Sequence, residues 1–311
     1  MTPICDGRVV IVTGAGRGIG RAHALAFAAE GGRVVVNDLG AELDGSGRPT
    51  TGPAADVASL ISERHGTGRA VVNGDDVADW HGAERLVGNA VATYGRLDVV
   101  LNNAGFVRDQ TFANATEDEW DAVVRVYLKG HFAVSRWAAS HWRERAKGGE
   151  TPADIDARII NTTSGAGLLG SVGQAAYSAA KAGIVGLTLV QAAELGRYGV
   201  TANAIAPAAR TRMTEGVFTD MMATPDQPGA FDAMAPENVS PLVVWLGSRA
   251  SAGVTGRVFE VEGGKVSVAD GWRHGQAVDK GARWEPPELG DAVRHLLAAA
   301  PPPEPAYGTT A

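Results

Sequence analysis

Residues Arg8–Gly20 read RVVIVTGAGRGIG, and this stretch decides the fold. Arg8–Thr13 is a continuous β-branched run of the kind that forms a strand buried on both faces. A glycine loop follows at once, and a helical pattern begins near residue 18. The strict G-x-G-x-x-G spacing is absent; the spacing present is Gly14, Gly18, Gly20, with Arg17 and Ile19 between and beside them. Between a strand and a helix, such glycines make a tight turn and let a pyrophosphate approach a helix N-terminus. Taken alone, the loop reads equally as a generic βα turn.

Working outward, six more short apolar runs follow at Arg33–Asn37, Ala70–Asn73, Leu97–Asn102, Arg158–Asn161, Val200–Ile205 and Arg257–Val261. Helical patterns fill the gaps near 18–31, 53–65, 79–94, 117–146, 174–197 and 236–248. This alternation predicts an α/β, doubly wound parallel sheet with right-handed crossovers. Ligands in such a sheet bind at the carboxyl ends of the strands. Residues 1–269 form the expected domain. Within it, 210–236 reads as a lid, because Met213, Phe218, Met221, Met222 and Phe231 sit in a loop-like stretch. Lys147–Ala157 reads as a polar surface insertion. Residues 270–311 form a C-terminal extension with a short helical pattern at Pro287–Ala300. Its last ten residues are Pro-rich and are expected to be poorly ordered.

The chain has 311 residues, and 41 of them are glycine, about 13% against a usual ~7%. No G-X-Y period accompanies them, which excludes a collagen-like chain. The net charge of −7 argues against a nucleic-acid-binding face. A single cysteine, Cys5, excludes an intrachain disulfide and fits a reducing cytoplasm. No signal-peptide pattern and no apolar run of bilayer length stand out, so no membrane partner is expected.

Asp38 follows the second strand run. A carboxylate there accepts from ribose hydroxyls and repels a 2′-phosphate, which favours NAD over NADP. Arg17 is a counter-signal, since it would pair with a 2′-phosphate. Asp76 and Val77, after the third run, would hold an adenine ring, though Asp76 alone reads as a helix N-cap. Asn103, Ala104 and Gly105 end the fourth run where backbone would meet ligand closely.

The chemical signal is Tyr177-Ser178-Ala179-Ala180-Lys181 in a helical stretch. Residues i and i+4 share a helix face. A lysine ammonium beside a phenol lowers its pKa and readies Tyr177 as a general base or acid. Ser164 ends the fifth strand and would hold the substrate oxygen near Tyr177. No metal site is expected. Phe106, Leu168, Met213, Val217, Phe218 and Met222 would wall an apolar substrate pocket, although core packing accounts for each singly.

Thr13–Gly20 (TGAGRGIG), Asn102–Gly105 (NNAG), Ser164 thirteen residues before Tyr177, and Tyr177–Lys181 (YSAAK) together resemble the short-chain dehydrogenase/reductase family. The resemblance spans roughly residues 5–268. It implies a Rossmann fold with seven strands in the order 3-2-1-4-5-6-7, and hydride transfer between a secondary alcohol or ketone and a nicotinamide. It also implies that Lys181 binds the nicotinamide ribose, that Pro207 and Thr211 anchor the carboxamide end, and that the chain forms dimers or tetramers. The family often has Asn where Tyr127 stands, and Gly where Ala208 stands. Asn37–Gly40 and Asn103–Asp109 resemble a narrower branch, the (3R)-hydroxyacyl-CoA and hydroxysteroid dehydrogenase domain of multifunctional β-oxidation proteins. That branch implies a hydroxyacyl-CoA or steroid-like substrate. Two other readings remain open: a dinucleotide sensor without turnover, and a lyase or epimerase that uses bound NAD.

Overall fold

The computed structural model describes residues 2–309 except 43, 48, 215–221, 226, 228 and 270. Among these residues, eight strands form one sheet: Val9–Thr13 (β1), Arg33–Asn37 (β2), Ala70–Asn73 (β3), Val99–Asn102 (β4), Ala157–Thr162 (β5), Val200–Ala208 (β6), Val258–Glu262 (β7) and Lys265–Val268 (β8). Their order is 3-2-1-4-5-6-7-8. The first seven are parallel, as the Rossmann reading expects, while β8 runs antiparallel to β7.

The eighth strand was not expected. It follows a two-residue Gly263-Gly264 turn in which Gly263 takes φ +53, and it is mostly exposed. Hairpin turns of this length favour positive φ. A solvent-facing edge strand carries no continuous apolar run, so it lacks the signature that marks the other seven.

Among the described residues, ten α-helices cross over between strands or extend the ends: Gly18–Ala29 (α1), Gly52–His65 (α2), Trp80–Tyr94 (α3), Glu117–Val124 (α4), Gly130–Lys147 (α5), Pro152–Ile155 (α6), Gly165–Leu169 (α7), Ala175–Leu195 (α8), Ser240–Gly247 (α9) and Leu289–Ala299 (α10). Alternation along β1 sets the layers. Val10 and Val12 pack with Phe27 of α1, Ile61 of α2 and Leu246 of α9. Val9 and Ile11 pack with Leu86 of α3 and with Val134 and Trp142 of α5. Each buried aliphatic side chain contributes about 2 kcal/mol, so a one-residue slip of β1 would turn both sets the wrong way.

Two expected segments differ in detail. The single helix over 117–146 is split by a π-helical turn at Arg125–Lys129. Such turns insert one extra residue and swing the side chains that follow. The polar insertion at 147–157 holds α6, capped by Thr151, and buries Ile155 completely.

Buried amides line the carboxyl edge of the sheet. Asn37 donates to Asn73 (2.8 Å), and Asn102 donates to Asn161 (2.9 Å). Asn161 in turn donates to Thr188 (2.9 Å) and Gln191 (2.8 Å) of α8. These pairs fix the strand ends under the site and satisfy most of the buried amide groups, while the Asn102 Oδ1 has no partner among the described residues.

Candidate active site

The glycine loop joins β1 to α1. Gly14 and Gly18 take φ +64 and +53, in the left-handed region. A Cβ on Gly20 would lie 2.1 Å from the Gly14 carbonyl oxygen and 2.6 Å from the Asn103 amide nitrogen. A Cβ on Gly14 would lie 2.8 Å from the Ala104 Cα. Backbone is therefore stacked on backbone here, and only glycine fits. Thr13 holds the far side: its hydroxyl accepts from the N–H groups of Asn103 (2.8 Å) and Ala104 (3.0 Å). Helix α1 has no side-chain cap, since its N-cap residue Arg17 carries only donors, one of which goes to the Ala41 carbonyl. Its first N–H groups thus meet no capping side chain, which suits an anionic ligand. Ile19 packs against the core under the loop.

Asp38 leaves the end of β2 and reaches back to the loop. Its two carboxylate oxygens accept from the N–H groups of Gly16 (2.8 Å) and Gly40 (2.7 Å). Each oxygen keeps a further lone pair for a ribose hydroxyl. Asp76 accepts from the Ala78 N–H (2.8 Å) and pairs with Arg125 on the π-helical turn. The cap of α3 is Asp79, which accepts from Gly82 (2.7 Å), so Asp76 does not take the N-cap place. Val77 is buried beside Gly130. The Thr211 side chain faces Gly18 across the loop, 3.5 Å from where a Cβ would stand. Pro207 lies near the end of β6, opposite Val261 of β7. These residues fit a dinucleotide: an uncapped helix end, a cradle that a Cβ would fill, and an acid beside it.

The second half of the site rests on β5 and α8. Ser164 begins α7, and its hydroxyl accepts from the Ala166 N–H (3.3 Å). Tyr177 and Lys181 lie one turn apart on α8. Lys181 is buried and donates to the Thr162 carbonyl (2.6 Å). Burial pulls its ammonium down to a pKa of about 7. Tyr177 moves opposite to the expected direction. Burial pushes its phenol up, the Ser164 hydroxyl works against that, and the nearby Asp109 carboxylate adds to it. In the chain alone, low dielectric outweighs any help from the lysine.

Tyr127 occupies the place of the family's frequent Asn, and the π-helical turn aims it inward. Its hydroxyl donates to the Phe106 carbonyl (2.5 Å). Its ring meets Tyr177 edge-on at 5.2 Å, and the Lys181 ammonium lies 4.4 Å from its centroid. Gly105 exists to make room: a Cβ there would lie 2.3 Å from the Tyr127 ring. His131, one turn beyond Tyr127, went unnoticed in the sequence. It is buried, its Nε2 has no partner among the described residues, and burial together with the Lys181 charge holds its pKa near 3. In the sequence its only signal was its place four residues after Tyr127, one helical turn on.

Of the apolar wall, Phe106 and Met213 pack with Tyr127 and Tyr177. Leu168 is half-exposed on α7, and Met222 is buried. Val217 and Phe218 lie outside the described residues. Arg210 bonds the Met222 carbonyl (3.0 Å) and pairs with Asp232, which ties together the segment that follows β6.

Comparison with known proteins agrees with this arrangement. The short chain dehydrogenase family matches residues 8–222. The chain is 43% identical over 301 residues to the hydroxyacyl-CoA dehydrogenase ChsB1 of Mycobacterium tuberculosis, covering 96% of this chain and 90% of that one. It is 43% identical over 261 residues to the peroxisomal multifunctional enzyme type 2 of Mus musculus, covering 84% of this chain but only 32% of the mouse protein. A crystal structure of a short chain dehydrogenase from Mycobacterium avium superposes with a TM-score of 0.87 at 62% identity, covering 98% of this chain and all of that one. No helix among the described residues is long and apolar enough to cross a membrane. The chain belongs to the short chain dehydrogenase family, oxidoreductases that bind NAD or NADP.

Proposed function

We propose that this chain is an NAD-preferring dehydrogenase acting on the secondary alcohol of a 3-hydroxyacyl-CoA, with a steroid-like alcohol as the competing substrate class. One observation carries the reaction: Ser164 and Tyr177 meet at the end of β5, with the buried Lys181 amine one turn behind the phenol. The substrate class follows the name of the M. tuberculosis relative and the apolar side chains of Phe106 and Met213 around Tyr177.

The dinucleotide, when bound, supplies the nicotinamide that takes or gives the hydride. Gly14, Gly18 and Gly20 would admit its pyrophosphate at α1, with Arg17 and Ile19 flanking. Asp38 would take the adenosine ribose and disfavour a 2′-phosphate. Asp76 and Val77 would border the adenine. Asn103, Ala104 and Gly105 would border the nicotinamide ribose, and Pro207 and Thr211 the carboxamide. Ser164 would donate to the substrate oxygen and hold it by Tyr177. Tyr177 would take the hydroxyl proton in oxidation and return it in reduction. Lys181, charged at this moment, would stabilise the phenolate and bond the ribose.

We place the boundary of the catalytic domain near 269, with 210–236 as a lid in which Arg210 bonds Met222 and Asp232. Exposed Phe132 on α5 and Leu189 and Val190 on α8 support assembly into a dimer or tetramer through these helices. The single buried thiol of Cys5 accords with a cytoplasmic location.

The test is reduction of the dinucleotide by purified protein given hydroxyacyl-CoA, steroid and simple alcohols, with NAD and NADP in parallel. NADH release from the thioester is expected, with at least a tenfold preference for NAD. Asp38→Ala should erase most of that preference. Stoichiometric NADH binding without turnover of any substrate would overturn the reading in favour of a sensor. Conversion of substrate with no net NADH would point to a lyase or epimerase.

A further inference from the structure

The C-terminal tail returns to the site. The Tyr307 N–H donates to the Gly170 carbonyl (3.1 Å), and the Val172 N–H donates to the Tyr307 carbonyl (2.9 Å). These bonds form a parallel bridge between Ser171 and Tyr307. The same turn is held from its other side. The Gln110 N–H donates to the Gly173 carbonyl (2.8 Å), and the Gln174 amide donates to the Asp109 carboxylate (2.8 Å). Residues 170–174 are therefore clamped between the segment after β4 and the tail. This turn lies among the twelve residues that separate Ser164 from Tyr177.

The Tyr307 ring lies over Gly165, the residue directly after Ser164. A Cβ on Gly165 would stand 2.5 Å from the phenol oxygen and 2.8 Å from two ring carbons. The Tyr307 hydroxyl has no hydrogen-bond partner among the described residues. Partial burial and the carboxylates of Glu260, Glu262 and Glu304 push its pKa up. It is thus a neutral phenol with a free proton to donate.

We propose that Tyr307 is a specificity-determining residue, and that its hydroxyl donates to the thioester carbonyl of a 3-hydroxyacyl substrate whose alcohol lies between Ser164 and Tyr177. That carbonyl stands two carbons from the reacting carbon, and Gly165 stands one residue from Ser164. A simple secondary alcohol has no such oxygen. Tyr307 is 44% exposed, so water pairs its hydroxyl when no acyl oxygen is present, and the preference comes from the bond that the thioester gains rather than from a stranded donor. This inference rests on the hydroxyacyl reading above.

The test compares kcat/KM for (3R)-3-hydroxybutyryl-CoA and for 2-butanol in the full-length protein. Tyr307→Phe keeps the ring on Gly165 and removes only the hydroxyl. It should lower the thioester value about fivefold to tenfold and leave the 2-butanol value and the dinucleotide Kd within twofold. Tyr307→Ala should cost the thioester at least as much. An unchanged thioester value in Tyr307→Phe overturns the proposal, whatever Tyr307→Ala does. So does an equal loss on both substrates, which a merely structural tail would give. Absence of any turnover by the wild-type protein is a different failure: it overturns the dehydrogenase reading and this inference together.

Discussion

The glycine-loop half and the tyrosine–lysine half of the site use different materials. Around β1 the geometry is made by missing side chains: Gly14 and Gly20 let backbone lie on backbone, and a single Cβ would enter a carbonyl oxygen. Around α8 it is made by side chains taken out of water: Lys181 is drawn down to about 7, and Tyr177 and Tyr127 are pushed up. The first half can be occupied without any change of charge. The second becomes competent only when charges are rearranged, because burial opposes both the ammonium and the phenolate that the chemistry needs. The contrast shows where each kind of substitution hurts: added volume on one side, altered ionisation on the other.

Removing the ionisable group gives the largest expected effect. Tyr177→Phe should lower kcat/KM about a thousandfold and leave dinucleotide binding intact, as read by steady-state kinetics and NADH fluorescence titration. Full turnover in that variant would break the comparison at its strongest point. Adding volume comes next. Gly20→Ala should cost about 3 kcal/mol of stability, measured as urea unfolding. Gly88→Ala, on an open face of α3 with nothing within 4 Å, should instead stabilise by about 0.5 to 1 kcal/mol. Similar outcomes at the two positions would deny that crowding in the loop is what excludes a side chain.

The smallest effect concerns pH. The folded pKa of His131 lies near 3, below its ordinary 6.5, so the unfolded chain binds its proton first. Its contribution is fully present above pH 6.5 and is lost as pH falls towards 3. Between pH 7 and 6 the loss should be about 0.7 kcal/mol, and His131→Gln should remove that increment from the unfolding curves. Lys181 has the same sign in a higher window: stability rises with pH from about 7 towards 10.5.

The parallel strands at the centre of the sheet, β1, β2 and β4, were legible because they are sealed between two helix layers and read as apolar runs, whereas β3 and β7 are only partly buried. β8 was not legible, since Lys265–Val268 faces solvent and carries no such run. Ser164, Tyr177 and Lys181 were legible through their spacing, and the structure brings them together. The direction of the Tyr177 shift was not, because it depends on how much water the fold excludes, a quantity no local spacing encodes. His131 escaped for the same reason: a histidine on a helix looks alike whether it faces solvent or a lysine. The π-helical turn left no mark either, as the apolar period runs through it with only a one-residue slip. Tyr307 meets Gly165 across 142 positions of sequence, and nothing near either residue announces the pair.

The contact between Gly105 and Tyr127 bears on which histories are open to this chain. With the Tyr127 ring in place, position 105 is closed to every other residue, since even a methyl group would stand 2.3 Å from the ring. A smaller residue at 127 would open position 105 to change, yet any side chain accepted there would then bar the tyrosine from returning. The two sites form a ratchet: the order in which they mutate decides whether the path can be retraced.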